Sequence, residues 1–87
     1  MLQFTYSERF QKHYKKLSVE EKNQLKRKLK IFSNNPFHPS LRTKRIQGTD
    51  GLFEFSVNMD IRVIWFYENN SSVALIDVGH HNILKNF

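Results

Sequence analysis

Apolar and polar residues alternate from Leu2 to Tyr6, the period of a short half-buried strand. From Ser7 the period lengthens. Phe10, Tyr14 and Leu17 fall on one helical face, and Ser7 is suited to cap that helix. Ser18 opens a second helix with Glu21 three residues on, the capping-box spacing, and Leu25, Leu29 and Phe32 form its apolar stripe. Asn34-Asn35-Pro36 ends it. Almost no loop separates the two helices, which predicts an antiparallel hairpin. After Pro39 the period shortens again. Lys44-Arg45-Ile46 reads as a brief extended piece before the Gly48-Thr49-Asp50-Gly51 turn, and Leu52 to Val57 as a strand with Glu54 and Ser56 on one face. Asn58-Met59-Asp60 reads as a tight hairpin connection. Ile61 to Tyr67 is apolar except at Arg62, which suits a central strand covered on both faces. Glu68 to Ser72 turns the chain, and Val73 to Val78 closes the pattern as a last strand. The order predicts one α+β domain over residues 1–87. It comprises an N-terminal strand and an antiparallel two-helix hairpin packed on a three- to four-stranded, largely antiparallel sheet.

Composition narrows the class. The 87 residues are 39% hydrophobic and 14% aromatic, enough for a folded core and too few residues for two domains. The absence of cysteine excludes disulfides and thiolate metal sites. No apolar run has the length of a membrane span and no secretory leader is legible, so a cytoplasmic protein without a membrane partner is expected.

Charge adds a direction. The net charge is +6, and its distribution is uneven: residues 1–48 carry 12 basic and 3 acidic side chains, residues 49–87 carry 2 and 5. A basic surface drawn from one half of a small domain suits a nucleic acid, and an acidic protein partner equally.

The stretch His38-Pro39-Ser40-Leu41-Arg42, followed by Lys44-Arg45-Ile46 and Gly48-Thr49, resembles the RelE/ParE superfamily of toxins. So do Leu52-Phe53-Glu54-Phe55, Asp60-Ile61-Arg62 and Gly79-His80-His81-Asn82-Ile83-Leu84, in the family's order and spacing. The resemblance implies the toxin of a type II toxin–antitoxin pair, held by an antitoxin protein. Its RelE- and YafQ-like branch implies an endoribonuclease that cuts messenger RNA in the A site of the small ribosomal subunit, with no cofactor and no metal. Its ParE-like branch implies a DNA gyrase inhibitor without nuclease activity, and a degenerate member would only bind its antitoxin. Fold does not separate these.

Metal-independent RNA cleavage needs a base for the ribose 2′-OH, cations for the developing charge and an acid for the leaving 5′-oxygen. His81 stands where the YafQ-like enzymes place a functional histidine, one residue past a Gly-x step, and imidazole suits either proton task. Its neighbour His80 would point the other way were the strand to continue. Arg62, a lone charge in an apolar strand, suits the scissile phosphate, with pairing to Glu54 as the structural alternative. Asp60 matches an acidic position of family ribonucleases and equally suits a hairpin turn. Glu54 is a candidate base or the partner of Arg62. Lys44 and Arg45 resemble the family's RNA-directed basic residues, and only one of two neighbours in a strand faces a given site. Lys85 is a candidate for charge stabilisation. Lys22, Lys26 and Lys30 form a helix face that is solvated first and a contact for ribosomal RNA second. His13 and His38 receive no role. Two departures stand out: Ser56 where YafQ-like enzymes have a histidine, and Leu84 and Lys85 where family nucleases carry an aromatic residue or a second histidine.

Overall fold

A computed structural model describes residues 1–87, the side chain of Asn86 excepted. Strand β1 (Gln3–Tyr6) leads into helices α1 (Glu8–Tyr14) and α2 (Val19–Asn34) and a 3-10 turn at Pro39–Leu41. Strands β2 (Lys44–Arg45), β3 (Phe53–Ser56), β4 (Ile61–Asn69) and β5 (Ser72–His80) follow, and the chain ends in a 3-10 helix over His81–Asn86. Among the described residues the sheet has five strands in the order β1-β5-β4-β3-β2. All neighbours are antiparallel except β1, which lies parallel to β5. The four antiparallel strands are the expected meander, with the two-residue Lys44–Arg45 piece at one edge, and the expected N-terminal strand joins as the other edge.

The helix starts follow the sequence signals. The Ser7 side chain accepts from the Phe10 backbone, and Ser18 and Glu21 form a reciprocal capping box. The apolar stripes of both helices cover one face of the sheet. Phe32 stacks on Phe55 and meets Trp65 edge-on, with ring centroids 4.8 Å apart in both pairs. Ile61, Val63 and Trp65 of β4 join this core together with Val73, Leu75 and Val78 of β5.

Strand β5 departs from strict alternation. Leu75 pairs with Trp65 and Asp77 with Ile64, so Ile76 is an extra residue, a β-bulge. The bulge brings Val78 back to the core side and leaves Asp77 fully buried. Strand β1 ends opposite Leu75, and α1 takes over the edge beyond it. Ser7 N–H donates to the Leu75 carbonyl at 3.1 Å and Ser7 Oγ to that of Ile76 at 2.7 Å. From this edge His13 Nδ1 meets Asp77 Oδ1 at 2.6 Å, and Arg9 Nε lies 3.3 Å from Oδ2. The arginine contact is electrostatic, since Oδ2 has no aligned donor. Burying Asp77 without these partners would be costly.

Candidate functional site

The β3–β4 hairpin and the end of β5 meet at one end of the sheet. Asn58 shapes the hairpin: its Oδ1 accepts the backbone N–H groups of Asp60 at 2.8 Å and Ile61 at 2.7 Å, while its Nδ2 donates to Gln24 Oε1 on α2 at 2.7 Å. The Asp60 backbone is thereby pinned. Across the ladder Ile61 pairs with His80 and Arg62 with Gly79.

At His80 the chain leaves the strand. His80 caps the 3-10 helix that starts at His81, and the turn replaces the opposed orientation that a continuing strand would impose. Both imidazoles converge on one carboxylate. Asp60 Oδ2 accepts from His80 Nδ1, and Oδ1 lies 3.2 Å from His81 Nδ1. The hydrogen bonds from His80, then His81, hold the Asp60 carboxyl below its ordinary value. An ionised carboxylate only accepts, so both rings present Nδ1–H to it and leave Nε2 free. Each Nε2 can take or deliver a proton, and all three side chains are exposed.

Arg62 follows Asp60 by two residues, near the start of β4. Its Nη1 donates to the carbonyls of Asn58 at 2.8 Å and Ile61 at 3.2 Å, and its Nε lies 3.8 Å from Glu54 Oε1. The Glu54 side chain is only 7% exposed, so its carboxylate serves the guanidinium more readily than a substrate. Arg62 borders a cleft of about 270 Å3 together with Lys28, Arg42, Ser56, Asn58 and Met59. Three cations and a hydroxyl on one cleft suit a phosphate-bearing ligand.

The ladder register divides Lys44 from Arg45. Residues paired across a sheet point to the same side. Lys44 pairs with Glu54 and shares the side of Ser56 and Arg62. Arg45 pairs with Phe53 and lies over its ring at 6.0 Å, on the side of the aromatic core. Lys22, Lys26 and Lys30 lie elsewhere: Lys22 sits over the Tyr14 ring, Lys26 borders a groove with Tyr6 and Phe10, and Lys30 is exposed. Lys85 is exposed on the terminal 3-10 helix.

Three residues, Lys28, Arg42 and Asn58, carried no site role in the sequence alone. Lys28 turns to the cleft and donates to the Ser40 carbonyl at 3.1 Å. Arg42 ends the 3-10 turn in the left-handed region, at φ 51°, a conformation that costs a non-glycine residue about 1 kcal/mol. Asn58 holds both the hairpin and Arg62. The Asn-x-Asp turn was the signal for Asn58; Lys28 and Arg42 are legible only once the 3-10 turn is seen packed beside α2. Among the described residues no set of three or more histidines and carboxylates is arranged to hold a metal ion, and no helix is long and apolar enough to cross a membrane.

This architecture is the RelE-type toxin fold. YafQ from E. coli superposes with a TM-score of 0.78 at 20% identity, covering 97% of this chain and 98% of that one. The YoeB dimer structure from Staphylococcus aureus gives 0.77 at 14% identity, with 92% and 97% covered. The RelB–RelE antitoxin–toxin complex from Methanococcus jannaschii gives 0.74 at 15% identity, with 93% and 94% covered. No protein-family model matches the sequence, and the search of curated proteins gives no match.

Proposed function

We propose that the protein is the toxin of a type II toxin–antitoxin pair and cuts messenger RNA on the ribosome, with the Asp60–His81 pair and Arg62 at the scissile phosphate. The observation that carries this reading is the convergence of His80 and His81 on Asp60, two residues before Arg62 and its cation-lined cleft, on a fold shared with YafQ, YoeB and RelE. In this mechanism one imidazole Nε2 removes the 2′-OH proton. The 2′-oxygen attacks phosphorus, Arg62 stabilises the added charge, and a protonated imidazole gives its proton to the departing 5′-oxygen. The products are a 2′,3′-cyclic phosphate and a 5′-OH. Lys44, on the Arg62 side of the sheet, and Lys28 and Arg42, on the cleft, contact flanking phosphates. Lys85, just beyond His81, adds charge where family nucleases carry an aromatic residue. Lys22, Lys26 and Lys30 contribute general attraction to ribosomal RNA from the helical side. The partner that restrains the toxin is an acidic antitoxin, as RelB is the antitoxin in the complex with RelE. The cytoplasm is the compartment in which such a protein meets its target.

The test is cleavage of a defined message on purified ribosomes by the wild type, His81→Ala and Arg62→Ala. The expected result is a cyclic-phosphate-ended fragment from the wild type, lost in both variants. Cleavage retained by both folded variants would overturn the mechanism. No cleavage, with gyrase inhibition instead, would move the protein to the ParE-like class.

A further inference from the structure

The edge of β5 left open beyond β1 is not filled by α1 alone. A second cavity of about 240 Å3 lies there, between the end of α1 and the start of the terminal 3-10 helix. His13, Lys16, His80 and Asn82 provide its polar lining. Two of these are histidines that the ladder and the bulge orient independently. His13 gives its Nδ1 side to the buried Asp77 at 2.6 Å, and His80 gives its own to Asp60. Each carboxylate fixes its ring and leaves Nε2 for another partner. The carbonyls at the end of α1 are already taken: Lys16 N–H donates to His13 at 3.0 Å and Leu17 N–H to Tyr14 at 3.1 Å. The Asp77 charge is offset on its second oxygen by Arg9. What faces the cavity is therefore two imidazoles, an ammonium and a carboxamide, with no carboxylate among the described lining residues.

We propose that this cavity is a phosphate-binding pocket, in which His13, His80, Lys16 and Asn82 together hold one phosphate group. A phosphate offers acceptor oxygens to an ammonium and an amide N–H2, and to each imidazole Nε2 when that nitrogen carries a proton. His80 also touches Asp60, so the pocket adjoins the His81 cluster. Under the ribonuclease reading, on which this extension rests, the phosphate belongs to an RNA nucleotide flanking the cleaved bond. The pocket itself requires only phosphate, and a free phosphate is the other source.

The experiment has two arms on the intact protein. In the first, inorganic phosphate is titrated while the ring C–H resonances of the histidines are followed by NMR. Saturable movement of His13 and His80, with His38 still, is expected. Lys16→Glu should weaken that binding about ten-fold or more. Still His13 and His80 signals, or equal movement of His38, would overturn the pocket. In the second arm an uncleavable oligoribonucleotide with 2′-O-methyl groups is bound at several salt concentrations. Lys16→Gln should lower the slope of log affinity against log salt by about 0.7, as loss of one phosphate contact to a single strand does. Lys15→Gln, whose side chain borders the groove between the helices, should leave it unchanged. An unaltered slope in Lys16→Gln alongside a positive first arm assigns the pocket to free phosphate. Absence of any oligonucleotide binding by the wild type would count against the RNA reading and leave the first arm to decide the pocket.

Discussion

Asp60 and His81 meet at 3.2 Å across the gap between a hairpin turn and the residue that follows the last strand, 21 positions apart in sequence. The carboxylate fixes the ring through Nδ1 and turns Nε2 outward, which is what a proton-transferring histidine requires. His81→Ala should lower cleavage by about 10²- to 10⁴-fold without changing the thermal midpoint, because the side chain is exposed. Asp60→Asn should fall between it and the wild type, the ring being kept but no longer held by a carboxylate. Single-turnover cleavage alongside a melting curve for each variant measures both.

Arg62 and Glu54 give a different signature. Glu54→Ala removes the carboxylate nearest a mostly shielded guanidinium, and should destabilise the fold by about 1–3 kcal/mol while also reducing cleavage. Arg62→Lys keeps a charge but loses the planar guanidinium whose Nη1 bonds the Asn58 and Ile61 carbonyls, so cleavage should fall with little change in global stability. Denaturant titration and cleavage rates separate the two variants; equal destabilisation in both would argue that Arg62 serves the fold alone.

Gly79 gives a prediction with a rescue. A Cβ placed there would lie 2.8 Å from Ile83 Cγ2, a β-branch methyl with little freedom to move. Gly79→Ala should therefore push the terminal 3-10 helix off the sheet and displace His81, reducing cleavage. Ile83→Ala in the same chain should restore much of it. A double mutant no better than Gly79→Ala would show that the contact does not position the helix.

The Asp60 carboxyl also predicts an acid limb. Hydrogen bonds from His80 and His81 hold it below 3.8, its ordinary value. The folded state thus binds this proton less readily than the unfolded chain. Its contribution to stability is complete above that pH and is lost as pH falls through the lowered value. The difference in thermal midpoint between wild type and Asp60→Asn should stay constant at neutral and mildly acidic pH and shrink only below about pH 4. The effect should be small, the group being exposed. A difference that shrinks near pH 6 instead would assign the coupling to another group.

Much of this was legible before the structure. The capping serines, the helix stripes and the run from Ile61 to Trp65 determine helices and central strand, because period and burial agree there. The parallel pairing of β1 with β5 was not, since four residues of alternation carry no information about their neighbour. Nor was the bulge at Ile76, which hid the role of Asp77. An aspartate in an apolar strand, with Arg9 and His13 one helical turn apart, was a signal for that cluster. At the candidate site, Asp60, Arg62 and His81 stood out by type. The convergence of His80 with His81 did not, because it depends on the residue at which the strand stops.

The most direct test is a primer-extension map of cellular transcripts after brief induction of the wild type and of His81→Ala. The account predicts new 5′ ends inside translated codons for the wild type, absent for the variant at equal protein level. The same 5′ ends from both, or intact transcripts during growth arrest by the wild type, would contradict it.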